Sequence, residues 1–355
     1  MAADPTYPLL PIFSIPTAVL LLLVLTTNFV RQSWNLGIFF LCFWLFWEIL
    51  TLGINAILWS DSAEAKFYVY CDIVSRLQIF TSIVKPACML LISRQLYRIA
   101  SLRSVVLLVR ACLIRQVIFP DYIVQAARFS VQEGAGCTSA IAPCWLAKIT
   151  LYSWPIVLPS IAVFFYCRMC IIFYVFYRHS REINNFLLSN DSISRPCYLR
   201  LLALVSVGIV LDIVLMLPYG TASTAGPVLG GARIGSSIPF YNGWELVHSH
   251  WKPVTFSYRE LQTDGSWILG RYHLSHWSPV VFGLTTFVLF GLTADARATY
   301  RRGLYAIGRL FGFKPTMHQR ASVDEIIFAN GLGQGVERRR YAPASGFLIL
   351  STTYC

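Results

Sequence analysis

Hydrophobic residues in this chain collect in seven long stretches, which shorter polar segments separate. A helix needs about 20 apolar residues to cross a bilayer, because lipid offers the backbone no hydrogen-bond partner. The stretches cover residues 8–30, 36–59, 70–96, about 105–129, 149–177, 201–219 and 278–292. The pattern predicts an all-α membrane protein, a seven-transmembrane helix bundle whose two termini lie on opposite faces of the bilayer.

Lysine and arginine residues crowd the connections on one side of these stretches. If the N-terminus is outside, most of them fall in the cytosolic segments, where basic residues are favoured. Examples are Arg94, Arg98, Arg103, Arg178, Arg181, Arg297, Arg301 and Arg302. The distribution predicts an outside N-terminus and a cytosolic C-terminus. The first stretch follows MAADPTY, which lacks the basic start of a cleaved signal, so we expect it to remain as the first span.

The fourth stretch is the weakest of the seven. It holds Arg110, Arg115 and Asp121, and Pro120 lies near its end. Charges are costly in a lipid-facing helix, so the two arginines fit better in a lengthened cytosolic loop. The remainder would then be short for a span. We expect an irregular fourth helix, which reflects either divergence or a misread gene.

Composition agrees with a membrane protein. Hydrophobic residues make up 56% of the chain and charged residues 13%, whereas soluble domains carry about 25% charged residues. The net charge of +12 follows membrane sidedness, so we predict the lipid bilayer and no nucleic acid as a partner. The bundle should occupy residues 1–292, an amphipathic helix on the anionic inner leaflet residues 293–313, and a disordered cytosolic tail residues 314–355.

Of the 10 cysteines, Cys71 and Cys137 both fall at the predicted outer, oxidising face. A disulfide between them would tie the third span to the loop that follows the fourth. Cys144 lies in the same loop and is an alternative partner. The sequence leaves this choice open.

Polar residues inside the spans form two helical stripes. One is Glu48, Thr51 and Asn55, and the other is Ser75, Gln78, Ser82 and Lys85. These stripes indicate either polar contacts that hold helices together or a polar cavity in which Glu48 or Asp212 neutralises Lys85. Asp72 and Arg76 are spaced for pairing within one helix. Pro86 should open space beside the third helix.

Catalytic and metal-binding patterns are weak. Four histidines lie in the predicted last outer loop, namely His248, His250, His273 and His276. No carboxylate or cysteine stands at ligand spacing from them. No phosphate-binding loop or nucleophile motif is present either. We predict a protein that is not an enzyme and has no metal site and no cofactor.

Several segments resemble the fungal lipopeptide mating-pheromone receptors of the basidiomycete type, the a-factor-receptor branch of class D G-protein-coupled receptors. They run from the second span to just beyond the seventh, and their order and positions make the resemblance specific. The segments are NAILW (55–59), CDIVSRLQI (71–79), KPACMLLISRQLYRIA (85–100), YIVQAARFSVQEGAGC (122–137), SRPCYLRLLAL (194–204), PFYNGWELVH (239–248) and FGLTADARATYRR (290–302).

The resemblance implies a plasma-membrane receptor for a prenylated peptide pheromone that signals to a heterotrimeric G protein. Residues 1–292 would then be the receptor domain. A Cys71–Cys137 tether would hold a loop over the ligand cavity. The expected ligand-binding residues are Arg128, Glu133, Gln78, Lys85 and Glu48. The expected G-protein contacts are Arg195, Tyr198 and Arg200, where the sixth span begins.

Two alternatives to a signalling receptor remain. A polytopic transporter could use Glu48, Lys85 and Asp212 as intramembrane charges. A receptor relative with an irregular fourth helix could be unable to signal.

Overall fold

Long helices dominate the computed structural model, which describes residues 4, 6–31, 36–101, 121–178, 195–221, 239–249, 251–263 and 266–310. The helices are α1 (Leu9–Arg31), α2 (Leu36–Leu58), α3 (Tyr68–Ser101), α4 (Trp145–Ala147), α5 (Trp154–Arg178), α6 (Arg195–Thr221), α7 (Trp244–His248), α8 (Tyr258–Thr263), α9 (Ser266–Thr286) and α10 (Ala294–Leu310). Two π-helical segments, Lys148–Tyr152 and Phe287–Gly291, precede α5 and follow α9.

Six helical segments in the described part of the chain are long and apolar enough to cross a membrane. They are Leu9–Phe29, Gly37–Leu58, Tyr68–Tyr97, Trp154–Ile171, Cys197–Val214 and Tyr272–Gly291. Each overlaps one of the predicted stretches. The last one begins earlier than predicted. The prediction missed its first turns because histidines and serines lower their hydropathy. Most of the predicted fourth stretch lies outside the described residues.

The described end of that fourth stretch differs from the prediction. After a helical turn at residues 121–124, the chain becomes extended, and Gln125 forms an isolated β-bridge with Ile141. Phe129 is fully buried in a cluster with Val131. The predicted boundary at residue 129 is therefore wrong. The apolar side chains at this point pack within the protein rather than against lipid.

The spanning helices form a bundle in which α2 and α3 have central positions. Helix α2 packs on α1, α3 and α9, and α3 packs on α2, α5 and α6. One apolar core, which includes Leu21, Leu45, Ile92 and Leu204, runs through the bundle. Helix α3 continues through Pro86. At Gly53 the helices α1 and α2 approach closely, since a Cβ atom there would lie 2.5 Å from the Ser14 hydroxyl.

A small three-stranded sheet covers one end of the bundle, and we call this end the sheet end. Strands β1 (Ser130–Gln132) and β2 (Gly136–Thr138) form an antiparallel hairpin. Strand β3 (Val254–Phe256) pairs with β1 in parallel, so the strand order is β2-β1-β3. The sheet thus joins two connections that lie far apart in the chain. Because β1 is central, the hairpin is held on both sides.

Helix α10 occupies most of the segment that was predicted to be amphipathic. Arg297, Arg301 and Arg302 are exposed on it. Its position on a membrane surface stays a prediction. The predicted tail and the connection between α5 and α6 lie outside the described residues.

Candidate functional site

A disulfide anchors the sheet to the bundle. It joins Cys71, in the first turn of α3, to Cys137 in β2, with their Cα atoms 5.2 Å apart. Both residues are fully buried in a cluster with Trp59 and Phe129. The alternative partner, Cys144, is a buried free thiol. The hairpin is therefore covalently fixed to the end of α3.

Polar side chains of two spanning helices hold the same strand. The Gln78 amide donates a hydrogen bond to the Cys137 carbonyl oxygen at 3.0 Å, and the Asn55 amide donates to this oxygen at 3.4 Å. The Tyr70 hydroxyl donates to Asn55 Oδ1 at 2.9 Å. Gly136 has a positive φ of +74°, and a Cβ atom there would lie 2.7 Å from Asn55. Gln78 thus holds the hairpin against the bundle.

Five residues form a chain of charged and polar contacts between α3 and residues 121–128, at the end of the predicted fourth stretch. We call Asp72, Arg76, Asp121, Gln125 and Arg128 the charge clasp. Arg128 donates to both carboxylate oxygens of Asp72, from Nε to Oδ1 at 3.0 Å and to Oδ2 at 3.2 Å, and from Nη2 to Oδ2 at 2.6 Å. Arg76 contacts Asp121 and Gln125, and the Gln125 amide donates to the Arg128 carbonyl oxygen at 2.6 Å.

The charge clasp differs from the pairing that helical spacing suggested. Asp72 and Arg76 each bind a residue outside α3 rather than one another. Asp72 of α3 pairs with Arg128, and Arg76 of α3 pairs with Asp121. Each charge on the helix therefore meets an opposite charge on residues 121–128. The hydrogen bonds to Asp72 raise the pKa of the Arg128 guanidinium further above its ordinary value, so Arg128 stays charged.

A groove of about 640 Å³ opens beside the charge clasp. Its lining consists of Asp72, Ile73, Ser75, Arg76, Gln125, Arg128 and Trp251. Arg128 is the one predicted ligand residue among them. In the sequence, Asp72 and Arg76 stood out as charges inside a span, but their spacing suggested that they pair with each other. Trp251 lies in the predicted last outer loop and was not among the predicted ligand residues.

An aromatic stack holds Trp251 at the groove. The ring of His248 stacks on Trp244, with centroids 3.9 Å apart, and on Trp251, with centroids 5.4 Å apart. The His248 ring nitrogens lie 3.0 and 3.1 Å from the carbonyl oxygens of Trp244 and Tyr122. The last long loop is thereby fixed to the segment that carries the charge clasp.

Glu133 lies away from the groove. Its carboxylate accepts a hydrogen bond at 2.9 Å from the backbone N–H of Tyr258, where α8 begins. Its carbonyl oxygen accepts a longer one, at 3.5 Å, from the Tyr272 hydroxyl. Glu133 therefore links the hairpin to α8 and α9.

The two remaining predicted ligand residues form an ion pair between spanning helices. Lys85 Nζ of α3 lies 2.7 Å from Glu48 Oε1 of α2. The side chains are 21% and 17% exposed. Asp212 of α6 is close enough to Lys85 to interact with it electrostatically. Of the five predicted ligand residues, the structure brings only Glu48 and Lys85 into contact with each other.

The predicted G-protein contacts lie where α6 begins. Arg195 is its first residue, and Tyr198 packs on the apolar core of the bundle. Arg200 is half-buried. This end of α6 is opposite to its last turns, which lead toward the connection that contains β3.

In the described part of the chain, no group of three or more His, Cys, Asp or Glu side chains comes together in a way that could hold a metal ion. His273 lies 3.4 Å from the Tyr258 hydroxyl, and His276 lies 2.6 Å from the Tyr272 carbonyl oxygen. His250 is outside the described residues.

Comparison with known proteins finds similarity along all six spanning helices. The sequence pattern of the pheromone A receptor family matches residues 9–310. The pheromone B alpha 2 receptor of Schizophyllum commune is 28% identical over 346 residues, which is 97% of this chain and 53% of that receptor. Pheromone receptor 1 of Mycosarcoma maydis is 27% identical over 77% of each chain.

A more distant relative is the pheromone a factor receptor of Saccharomyces cerevisiae, which is 22% identical over 293 residues, 77% of this chain and 57% of that receptor. The chain spans about half the length of the Schizophyllum receptors that it matches.

Proposed function

Because the chain belongs to the pheromone A receptor family, we propose that it is a plasma-membrane receptor for a prenylated peptide mating pheromone and signals to a heterotrimeric G protein. The observation that carries the proposal is the family match over residues 9–310, which includes the sheet end and the charge clasp. Neither of these features serves a catalytic arrangement. Both are suited to holding an extracellular ligand above a helix bundle.

The proposed topology has seven spans, with the N-terminus and the sheet end outside. Six of these spans are the spanning helices of the described residues, and the other is the predicted fourth stretch, most of which lies outside those residues. The Cys71–Cys137 disulfide supports an outside position of the sheet end, since disulfides persist in oxidising compartments. The basic residues near α10 and at the start of α6 are then cytosolic, as the positive-inside rule requires.

We assign different roles to the five predicted ligand residues. Arg128 lines the groove and is proposed to contact the ligand directly. Gln78 and Glu133 bond to backbone groups of the sheet end, and we propose that they position the hairpin for the ligand. Glu48 and Lys85 lie deeper, and we propose that their pair reports ligand binding to α2 and α3.

Activation would be a shift between two populations. A ligand moves such an equilibrium only by binding one state more tightly than the other. We propose that the signalling state admits the G protein between α5 and α6, where Arg195, Tyr198 and Arg200 would contact it. These residues lie at the start of α6. They follow the connection between α5 and α6, which is cytosolic in the proposed topology.

The test is a dose–response measurement in cells that carry a G-protein reporter and lack other pheromone receptors. The probes are synthetic farnesylated peptides and the same peptides without the farnesyl group. We expect a response to at least one farnesylated peptide and none to its unmodified form. Silence toward the whole panel at normal surface expression would contradict the proposed function.

The coupling residues have their own test. The double substitution Arg195→Ala with Arg200→Ala should abolish the reporter response and leave surface expression unchanged, because it removes two positive charges from the proposed G-protein contact. A matched control replaces two exposed basic residues of the sheet end, Lys66→Ala with Arg259→Ala. If both double mutants couple normally, the assigned contact is wrong.

The Glu48–Lys85 pair also allows a second function. Paired charges inside a bundle are typical of transport pathways, and Asp212 is near enough to take part. Solute uptake by reconstituted liposomes that Glu48→Gln abolishes would favour a transporter. A chain that binds farnesylated peptide but gives no reporter response would be a non-signalling relative.

A further inference from the structure

Two guanidinium groups line the groove in fixed positions. Both carboxylate oxygens of Asp72 hold the Arg128 guanidinium, and Asp121 and Gln125 hold that of Arg76. Each arginine side chain is about two-fifths exposed, so a ligand in the groove can reach it. Because these contacts already order both side chains, a ligand that binds them would lose little side-chain entropy. The arrangement is typical of a preorganised anion site.

The same arginines keep hydrogen-bond donors for a ligand. In the described contacts, Arg128 uses Nε and Nη2, and Arg76 uses Nη1 and Nη2. A guanidinium has five N–H donors, so those of Arg128 Nη1 and Arg76 Nε remain. The lining holds these two guanidinium groups and one carboxylate, that of Asp72, whereas Asp121 is buried and does not line the groove. The net charge of the lining is therefore +1, which fits a ligand with one negative charge.

The groove lies where a bilayer has its headgroups. The spanning segment of α3 begins at Tyr68, and Arg76 follows eight residues later, about 12 Å along the helix. A long arginine side chain reaches from such a position to the interface. The Arg128 guanidinium lies 5.4 Å from the ring centroid of Tyr68, so it is near the same level. Ile73 and Val69 on the same helix are 62% and 71% exposed, so acyl chains can pack against them.

The phosphate of a membrane lipid meets these requirements. Arginine binds phosphate oxygens through pairs of N–H donors, and such charge-assisted hydrogen bonds are stronger than neutral ones. A phosphodiester with an uncharged headgroup carries one negative charge, which matches the lining. A choline or ethanolamine headgroup adds a positive charge, which the lining does not match. The volume of about 640 Å³ is within the range of small-molecule sites and can hold a headgroup.

We propose that this groove binds an anionic glycerophospholipid from the leaflet at the sheet end, with its phosphate on Arg76 and Arg128 and its acyl chains along Ile73 and Val69. The inference goes beyond the proposed function, because the ligand is a membrane lipid and binds in the absence of any peptide. Its phosphate connects α3 with residues 121–128, so the bound lipid stabilises the contact between them.

The test is equilibrium binding of three probes to the full chain in an uncharged detergent. The probes are dioctanoyl phosphatidylglycerol, dioctanoyl phosphatidylcholine and inorganic phosphate. Phosphatidylglycerol should bind about tenfold more tightly than phosphatidylcholine, the effect of one unmatched charge, and should raise Tm. Inorganic phosphate should bind far more weakly, because it has no acyl chains. Equal affinities for the two lipids would overturn the inference, and so would phosphate binding as tight as that of phosphatidylglycerol, which would indicate a site for a soluble anion.

A pair of substitutions at Ile73 locates the lipid without disturbing the charge clasp. Ile73 lines the groove and is exposed, so Ile73→Glu and Ile73→Gln should both fold. The two variants have side chains of the same size and differ in charge. Relative to Ile73→Gln, we expect Ile73→Glu to bind phosphatidylglycerol about tenfold more weakly, because its carboxylate repels the phosphate. Equal affinities of the two variants for phosphatidylglycerol would mean that the phosphate binds elsewhere.

Arg128→Gln tests the phosphate contact itself. It should weaken phosphatidylglycerol about tenfold and phosphatidylcholine less. The matched control is Arg259→Gln, which removes an exposed arginine of the sheet end outside the groove lining and should change neither affinity. If Arg128→Gln weakens both lipids equally, Arg128 has only a structural role and the inference is overturned. None of these measurements uses a peptide, so their failure leaves the proposed function standing, whereas lipid binding by a chain that answers no farnesylated peptide would reject that function alone.

Discussion

The ion pair between Glu48 and Lys85 allows a stability prediction whose size follows from the structure. In Glu48→Gln the ammonium of Lys85 loses a carboxylate oxygen at 2.7 Å. Removing one partner of a buried pair costs about 3 to 5 kcal/mol, because the remaining charge stays desolvated. Both side chains are about one-fifth exposed, and Asp212 still interacts with Lys85. We therefore expect a loss near the lower limit, about 3 kcal/mol.

The assay is thermal unfolding of the purified protein in detergent. For a chain of this size, 1 kcal/mol corresponds to roughly 1 to 2 °C in Tm. Glu48→Gln should therefore lower Tm by roughly 3 to 6 °C. Adding Lys85→Met to Glu48→Gln should restore much of the loss, since the double mutant leaves no unpaired ammonium. The matched control is Asp212→Asn, which leaves the 2.7 Å contact intact and should shift Tm less.

Two results would refute this reasoning. A Tm decrease of Glu48→Gln no larger than that of Asp212→Asn would mean that the pair does not stabilise the bundle. Additive losses from Glu48→Gln and Lys85→Met would mean that the two side chains do not interact energetically.

Three further predictions concern the sheet end. Reduction of the Cys71–Cys137 disulfide, which encloses a separation of 66 residues, should lower the free energy of unfolding by up to about 4 kcal/mol; an unchanged Tm in dithiothreitol would contradict it. Gly136→Ala should destabilise the fold by roughly 3 kcal/mol, because the left-handed backbone and the contact with α2 both resist a Cβ atom, whereas Gly303→Ala, with nothing within 4 Å, should not lower Tm. His248→Phe keeps the aromatic stack but removes both carbonyl contacts, so hydrogen exchange in α7 should accelerate by about fivefold, as expected for about 1 kcal/mol; equal exchange rates would argue against those contacts.

The spanning helices and the polar stripes inside them could be predicted from the sequence. Six predicted stretches overlap helices that could cross a membrane, because lipid imposes length and hydrophobicity on each helix separately. The possible neutralisation of Lys85 by Glu48 was also foreseen as one of two pairings. Because few charged residues lie inside the spans, the sequence alone leaves Lys85 only a few possible partners of opposite charge.

The residues around the groove could not be placed in this way. Helical spacing suggested that Asp72 pairs with Arg76, but an exposed pair of this kind contributes only about 0.3 to 0.5 kcal/mol. The folded chain brings Arg128 and Asp121 to α3, and two-point hydrogen bonding to Asp72 replaces the local pair. The partner of Asp72 depends on a residue 56 positions away, which no local pattern specifies.

Glu133 shows the same division most clearly. The sequence by itself determined that this chain is a membrane-spanning helical bundle with charges in defined spans, because hydrophobic burial in lipid acts on each segment alone. Only the tertiary structure decided that the Glu133 carboxylate meets the backbone N–H of Tyr258, 125 residues away, and that β1 lies between β2 and β3. Such contacts depend on how separate segments meet at the sheet end, and that meeting is a property of the whole fold.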